Sequence, residues 1–184
     1  SRFRQIVADH DTTATYYAHA SVGTLHIRPL INLKSTEDID KMRRIAEDIR
    51  DLVLEFGGAM SAEHGDGLVR SEWNEKVFGS KLYGAFGELK AIFDPKNIMN
   101  PGKIVGGQKM TEHLRFGPDY ETEQINTFFD FSADGGFARS VELCNGVGAC
   151  RKKLTGTMCP SYMATLDEEH STRGRANMLR AALS

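Results

Sequence analysis

Apolar positions after Ser35 recur at the period of an amphipathic helix. They fall on one stripe, formed by Ile39, Met42, Ile45, Ile49, Leu52, Val53 and Phe56. Ser35 and Asp38 have the spacing of a capping box at its start. Gly57-Gly58 predicts its end. Packing against a core explains this stripe without any functional role.

Shorter patterns predict β structure on both sides of this helix. Residues 5–8 indicate a short strand, and residues 16–33 alternate well enough for one long strand or two. In the second half of that segment, Leu25 and Ile27 would face one side, and Thr24, His26 and Arg28 the other. Residues 59–64 indicate another buried strand, which Gly65-Asp66-Gly67 ends.

The remainder of the chain predicts helices and irregular segments. Residues 71–93 favour helix in one or two pieces, ended by Asp94-Pro95. Residues 105–140 lose clear periodicity and indicate an extended connector, with one strand at 127–131. A Cys- and Gly-rich loop begins at Val141, and a helical tail at about Gly174.

Composition is that of an ordinary globular protein, with 40% hydrophobic residues, 26% charged residues and a net charge of −2. This charge gives no reason to expect nucleic acid binding. No apolar run reaches the roughly 18 residues of a membrane span, and we expect no signal peptide. The chain begins without Met and stops inside a predicted helix. We therefore expect a piece of a longer, cytoplasmic protein, and peripheral contact with the inner membrane face stays open.

Two histidines and an adjacent Glu-His pair form the first candidate site. His19 and His26 are seven residues apart, and Glu63-His64 begins 37 residues after His26. Two imidazoles and one carboxylate match an open, zinc-like metal site, which could chelate a 2-hydroxy acid and lower the pKa of its hydroxyl. His64 is then free to accept that proton, and Arg28 could pair with a carboxylate.

The alternative is that these histidines are structural residues held by hydrogen bonds, and two observations support it. Each histidine taken alone fits that role. In a regular strand, moreover, Glu63 and His64 would point to opposite faces. They could then serve one site only at the end of the strand or at a bulge.

Three cysteines form the second candidate site. Cys144, Cys150 and Cys159, with Pro160 following, suggest iron–sulfur ligation. Five and eight residues separate the successive cysteines, which is not the common ferredoxin spacing, and three thiolates cannot complete a four-thiolate site. Structural thiols and an incomplete zinc site are the alternatives. The odd count argues against a disulfide framework and favours a reducing compartment.

Three motifs together resemble the C-terminal domain of FAD-linked oxidases, relatives of D-lactate, glycolate and D-2-hydroxyglutarate dehydrogenases in the vanillyl-alcohol oxidase superfamily. They cover residues 1–105 and comprise His19-x6-His26, Ser61-Ala-Glu63-His64-Gly65-x-Gly67 and Phe93-Asp94-Pro95-x2-Ile98-x-Asn100-Pro101-Gly102-Lys103. The loop between the two histidines departs from the Gly-Asp-Gly-Asn-like sequence that is usual in the family. The resemblance implies an α+β fold, with an antiparallel sheet covered by helices.

The same resemblance implies roles for individual residues. It places a divalent metal on His19, His26 and Glu63, and the proton-accepting base beside the flavin at His64. Arg28, two positions after the second histidine, stands where relatives contact substrate and often have Asn. We also expect Asn100 and Lys103 to lie near the flavin. FAD itself would be bound mainly by a domain that this chain does not contain.

The cysteine-containing part resembles a ferredoxin-type module fused behind such oxidase domains in large bacterial dehydrogenases. Residues 157–165 and 170–177 carry this resemblance. It implies a 4Fe-4S cluster in the full-length protein, held by Cys144, Cys150 and Cys159 with further ligands downstream. Arg173 and Arg175 are either the solvated start of a helix, or neutralise the cluster or contact the flavin domain. The implied division is an oxidase domain at 1–104, a connector at 105–140 and the start of the cluster domain at 141–184.

The function implied for the full-length protein is oxidation of a small 2-hydroxy acid, with hydride transfer to FAD. Electrons would then pass singly to a quinone, a cytochrome or an electron-transfer protein. We expect the isolated chain to be inactive, and oligomerisation stays open. One alternative is a binding or electron-transfer module without turnover. Another is a metallohydrolase that uses His19, His26 and Glu63, which leaves the Cys-Pro and Asn-Pro-Gly-Lys segments unexplained.

Overall fold

The computed structural model describes residues 2–156 and 158–184. Ser1 and Thr157 lie outside the described residues. The segment 157–165, which resembles a ferredoxin-type module, is therefore described from Met158 onward. The chain divides into two compact units, residues 1–118 and 119–184. The boundary falls within the stretch for which we predicted a connector.

The first unit pairs a two-stranded antiparallel sheet with helices. Its elements in chain order are α1 (Arg2–Asp9), β1 (Ala14–His19), β2 (Thr24–Pro29), α2 (Thr36–Glu55), α3 (Gly67–Arg70), a 3₁₀ turn (Ser71–Trp73), α4 (Asn74–Phe78) and α5 (Ser80–Phe93). In the sheet, Tyr17 lies opposite His26, and His19 opposite Thr24. This arrangement confirms the predicted α+β class, with two strands between residues 14 and 29.

Helix α2 forms as its apolar stripe predicts. The Ser35 hydroxyl caps it by accepting from the Asp38 N–H at 3.4 Å. The Asp38 carboxylate does not complete a capping box, because it accepts from the Asn32 N–H at 2.8 Å. Ile39, Ile45 and Leu52 are buried, whereas Phe56, just beyond the last turn, is 73% exposed.

Three predicted strands are wrong. Residues 5–8 belong to helix α1, whose less exposed side is formed by Phe3, Ile6 and Val7 at helical spacing. A four-residue window is too short to separate this period from alternation. Residues 59–64 form a mostly exposed loop, closed by a hydrogen bond from the Ser61 hydroxyl to the Gly65 carbonyl at 2.8 Å. Residues 127–131 have no regular structure.

The helical prediction for residues 71–93 is confirmed, in pieces that end at Phe93. Asp94 terminates α5 and organises the turn that follows. Its carboxylate forms an ion pair with Lys90 and accepts from the N–H groups of Ile98 and Met99, at 2.9 Å each. These contacts hold the pKa of Asp94 below its usual value, the Lys90 hydrogen bond contributing most.

This lowered pKa makes the stability of the first unit pH-dependent. A carboxyl group whose pKa is lower in the folded state stabilises that state when the pH is above the pKa of the unfolded state. This contribution is lost as the pH falls through the pKa of the folded state. Asp94→Asn should therefore lower the Tm at neutral pH, and the difference from wild type should narrow towards about pH 2. Thermal unfolding followed by circular dichroism measures this difference. Asp40→Asn, at an exposed position of α2, is the control, and a constant difference for Asp94→Asn would contradict the assignment.

Gly107 allows the segment after α5 to approach Ser71 closely. A Cβ at position 107 would lie 2.4 Å from the Ser71 Cβ and 2.9 Å from its carbonyl carbon, and Ser71 is 1% exposed. We expect Gly107→Ala to destabilise the unit by about 1–3 kcal/mol through overpacking. Gly84→Ala on α5 meets nothing within 4 Å and should stabilise by about 0.5–1 kcal/mol. Denaturant unfolding compares the two, and equal effects would refute the predicted clash.

The second unit is helical. Its elements are a 3₁₀ turn (Ser132–Asp134), α6 (Phe137–Glu142), a 3₁₀ turn (Ala149–Arg151), α7 (Pro160–Thr165), a 3₁₀ turn (Glu168–His170) and α8 (Thr172–Leu183). The predicted helical tail is confirmed as α8, and the Ser171 side chain caps it by accepting from the Gly174 N–H at 2.8 Å. Within the described residues, no helix combines the length and apolar character needed to cross a bilayer.

Candidate metal and proton-transfer site

One face of the β1–β2 hairpin carries the polar residues of the site. Residues directly opposite each other in an antiparallel pair share a face, and so do residues two apart on one strand. Tyr17 opposes His26, and the ring of Tyr17 also contacts Arg28. His19 ends β1 on the same face, with its ring centroid 4.9 Å from that of His26. The prediction that His26 and Arg28 share a face is confirmed.

Glu63 reaches this face from the loop after α2. Its Oε1 lies 3.1 Å from His26 Nε2, 3.5 Å from His19 Nε2 and 3.3 Å from His64 Nε2. One ligand atom each from His19, His26 and Glu63 lies within 4.8 Å of the others. Among the described residues, no other three His, Cys, Asp or Glu side chains meet this closely. The predicted convergence of these three side chains is therefore present.

His26 places its ring nitrogen Nε2 close to Glu63. Its side chain is 13% exposed, and its Nε2 is buried without a hydrogen-bond partner among the described residues. The carboxylate of Glu63 is near, but the two groups lack the angles of a hydrogen bond. A buried polar atom without a partner is rare and calls for an explanation. An imidazole nitrogen aimed at a carboxylate and a second imidazole fits a divalent metal site.

His64 lies at the edge of the group with its side chain largely exposed. Its ring centroid is 5.7 Å from that of His26. Glu63 and His64 serve one site because residues 59–64 form an irregular loop, so the opposite-face objection for a strand does not apply. The group of three ligand atoms does not include His64, which leaves its imidazole available for proton transfer.

Arg28 and Tyr17 form the other end of the face. The Arg28 guanidinium carbon lies 4.8 Å from the centroid of the Tyr17 ring, and Arg28 Nη2 donates to the Tyr17 hydroxyl. Arg28 is exposed and has no carboxylate partner among the described side chains. Tyr17 was not among the predicted site residues. Its position two before His19 on an alternating strand was the signal that placed it on this face.

An open, mostly apolar cavity of about 860 Å³ adjoins the site. Its lining includes Ile27 on β2 and Ile49 on α2, together with the loop that carries Glu63 and His64. This volume lies in the range of small-molecule sites. The cavity thus offers space beside the converging polar groups.

Asn100 and Lys103 lie on the exposed turn after α5, where Lys103 Nζ contacts Asn100 Oδ1 at 3.3 Å. Two buried side chains, unnoticed in the sequence, tie this turn to the loop after His64. The Asn74 amide donates to Asp66 Oδ2 at 3.2 Å and to the Ile104 carbonyl at 3.1 Å. Ser71 Oγ accepts from the Ile104 N–H at 2.7 Å. No periodicity or motif marks either residue in the sequence.

The three cysteines in the second unit are free thiols. Cys144 is half-buried, and Cys150 and Cys159 are buried together with Tyr162. The Tyr162 backbone N–H, followed by Thr172, holds the pKa of Cys159 below its usual value. Among the described residues, the thiols do not gather as closely as the ligands of a single ion. A four-iron cluster, which is larger than one ion, holds its thiolates farther apart.

Arg173 lies beside this cysteine loop. Its Nε donates to Glu168 at 2.8 Å, and its Nη1 to the Gly146 carbonyl at 3.0 Å. Glu168 raises the pKa of Arg173 most, and the thiols of Cys150 and Cys144 add to the effect. These two contacts hold the Arg173 side chain beside the cysteine loop, in the first turn of α8.

Comparison with known proteins identifies the family. Residues 1–104 match the model of FAD linked oxidases, C-terminal domain. Over 180 residues, the chain is 33% identical to a D-2-hydroxyglutarate dehydrogenase of Pseudomonas putida, covering 97% of the chain and 18% of that relative. The Escherichia coli protein of the same name is 29% identical over 181 residues, which cover 98% of this chain and 18% of that relative. The Bacillus subtilis glycolate oxidase subunit GlcD is 30% identical over 99 residues, which cover 54% of this chain and 21% of that relative.

The matches to the two D-2-hydroxyglutarate dehydrogenases cover almost the whole chain but only a small part of those relatives. The chain spans about a fifth of the length of the relatives named above. No solved structure matches it. The matched range of 104 residues is more than half of the chain and contains every residue from His19 to Lys103 that forms the site. The chain therefore belongs to the FAD-linked oxidase family, through the C-terminal domain of these proteins.

Proposed function

We propose that the full-length protein is an FAD-linked 2-hydroxy-acid dehydrogenase, and that this chain supplies its metal and proton-transfer site. The observation that carries the proposal is the convergence of His19, His26 and Glu63, with His64 beside them and outside the ligand set. The family match supports the use of FAD. A hydrolase with the same three ligands would not account for that match.

Each side chain of the site has a defined part in this proposal. His19, His26 and Glu63 hold a divalent, zinc-like metal. When bound, such a metal lowers the pKa of the substrate hydroxyl. The exposed imidazole of His64 accepts the hydroxyl proton at a ring nitrogen. Arg28, which lacks a carboxylate partner of its own among the described residues, binds a carboxylate of the substrate with two parallel hydrogen bonds.

The flavin would be bound mainly by a part of the protein outside this chain, and it would accept the hydride from C2 of the substrate. We place Asn100 and Lys103 near it. The hydrogen bonds of Ser71 and Asn74 support this placement, because they join the turn that carries these residues to the loop that carries His64. Proton acceptor and hydride acceptor must both lie close to the same substrate carbon and oxygen.

D-2-hydroxyglutarate is the first substrate to test. The relatives named for it align over almost the whole chain, including the second unit, whereas the glycolate oxidase subunit aligns over about half. D-2-hydroxyglutarate carries a second carboxylate that D-lactate and glycolate lack. The guanidinium of Arg28, which has no carboxylate partner among the described side chains, could bind either carboxylate of this acid.

We further propose that Cys144, Cys150 and Cys159 provide three ligands of a 4Fe-4S cluster, with the remaining ligand from another part of the full-length protein. Two of the thiols are buried, and Arg173 brings positive charge to the loop that contains Cys144 and Cys150. Such a cluster transfers one electron at a time. The acceptor would be a quinone, a cytochrome or an electron-transfer protein. Residues 141–184 would then begin a cluster domain, joined by a connector at 105–140 to the oxidase domain at 1–104.

The test is a substrate panel on the full-length protein, with an artificial electron-accepting dye. The panel contains D-2-hydroxyglutarate, its L enantiomer, D-lactate and glycolate. We expect dye reduction with D-2-hydroxyglutarate, much less with its enantiomer, and flavin in the purified protein. A flavin-containing protein that oxidises none of these acids would refute the proposed activity.

A further inference from the structure

Tyr17 is the one aromatic residue on the site face of the hairpin that has no role in the chemistry above. Its ring stacks on the imidazole of His26, with centroids 4.3 Å apart and planes inclined by 14°. The two residues oppose each other across β1 and β2. The register of the two strands therefore brings the two rings together.

This stack has a clear consequence for His26. A histidine that binds a metal usually has its ring orientation fixed by a hydrogen bond at the other nitrogen. No hydrogen bond among the described residues holds the His26 ring. Its orientation is held by the flat face of Tyr17 and by the His19 ring, which lies nearly perpendicular to it. In that orientation, Nε2 lies 3.1 Å from Glu63 Oε1.

The hydroxyl of Tyr17 has a second, separate contact. It accepts a hydrogen bond from Arg28 Nη2, and the guanidinium also lies against the ring. An exposed arginine samples many rotamers, and ordering it costs side-chain entropy. Because Tyr17 already confines the guanidinium, a carboxylate that binds Arg28 meets a partly ordered partner.

We propose that Tyr17 is a positioning residue with two separable effects: its ring orients His26 towards Glu63, and its hydroxyl holds Arg28 beside the same site. This inference rests on the proposed metal site and substrate. The adjacent Tyr16 provides a natural comparison. It is similarly exposed, 38% against 43% for Tyr17, but lies on the other face of β1 and contacts Arg4 at 5.5 Å.

The two effects can be separated by substitution in the full-length protein. Tyr17→Phe keeps the stacked ring and removes the hydroxyl, whereas Tyr17→Leu removes both. Tyr16→Phe and Tyr16→Leu are the matched controls. Two quantities are measured: the Zn²⁺ dissociation constant of the metal-depleted protein, by competition with a chromogenic chelator, and KM and kcat for D-2-hydroxyglutarate.

We expect Tyr17→Leu to weaken Zn²⁺ binding by about 10–100-fold, the usual effect of losing a group that orients a metal ligand. Tyr17→Phe should bind Zn²⁺ as wild type does, but raise KM by about tenfold with little change in kcat. Both Tyr16 variants should match wild type in Zn²⁺ affinity and in KM. A residue that served only the stability of the hairpin would not split the two measurements in this way.

Several results would overturn the inference. Wild-type Zn²⁺ affinity in Tyr17→Leu would show that the ring does not orient His26, and an equal loss in Tyr16→Leu would show a general effect on the hairpin. If Tyr17→Leu does not fold, Tyr17→Phe decides, because an unchanged KM rejects the role of the hydroxyl. A wild-type protein that binds no Zn²⁺ and oxidises no 2-hydroxy acid rejects the proposed function together with this inference. Failure of the variants alone rejects only the inference.

Discussion

Replacing His64 with Ala in the full-length protein should lower turnover of a 2-hydroxy acid by about 10²–10⁴-fold, the usual cost of losing a general base. The flavin and metal contents should stay at wild-type levels, because the set of three ligands is complete without His64. The side chain of His64 is 66% exposed, so its removal leaves no core cavity. Loss of activity in an intact, loaded protein is therefore the expected result.

Steady-state turnover, flavin absorbance and metal analysis of the same preparation measure this outcome. His113→Asn is a suitable control, since His113 is exposed outside the site and has a positive φ of 53°, which Asn tolerates. Added imidazole should restore part of the activity of His64→Ala and should leave the activity of the control unchanged. A His64→Ala protein with activity close to wild type would refute the assignment of His64 as the base.

Replacing Glu63 with Gln should abolish metal retention. The Oε1 atom of Glu63 lies within 3.5 Å of the Nε2 atoms of His19, His26 and His64. Gln has nearly the same shape but carries no charge, so it is a far weaker ligand for a divalent cation. Loss of an outer group that orients a ligand costs about 10–100-fold in metal affinity, and loss of a charged ligand should cost more. We therefore expect more than about a 100-fold decrease, with turnover lost in parallel.

Metal analysis after dialysis and Zn²⁺ competition measure the effect. Glu75→Gln, at an exposed position of α4, is the matched control and should retain metal and activity. If Glu63→Gln retains metal as wild type does, the carboxylate is not a ligand. The proposed set of three ligands, His19, His26 and Glu63, would then be wrong.

Long periodic segments were predictable from the sequence, whereas short ones were not. The seven-residue stripe of α2 spans five turns, so its period is unambiguous, and the alternation over residues 16–33 predicts one strand or two, of which the structure forms two. Residues 5–8 and 59–64 offered too few positions to separate strand from helix or loop. The loop at 59–64 is held by the Ser61–Gly65 hydrogen bond, a contact that hydropathy does not report.

Candidate site residues were accessible because their chemical types are rare and their spacing is specific. His19, His26 and Glu63 could be chosen before their convergence was seen. The sequence did not single out Tyr17, Ser71 or Asn74, because these residues act through their contacts with other residues. A tyrosine on a strand is ordinary, and it gains meaning only when register places it on His26. Ser71 and Asn74 join two loops across about thirty residues of sequence, which no local pattern encodes.

The most direct test of the proposed site is flavin reduction in a single turnover, measured on metal-depleted full-length protein without oxygen. D-2-hydroxyglutarate is mixed with the protein before and after one equivalent of Zn²⁺ is restored, and bleaching of the flavin's visible absorption is followed. If His19, His26 and Glu63 hold the metal that activates the substrate hydroxyl, the flavin should stay oxidised in the depleted protein and be reduced once metal returns. Equally fast bleaching with and without metal would contradict this role.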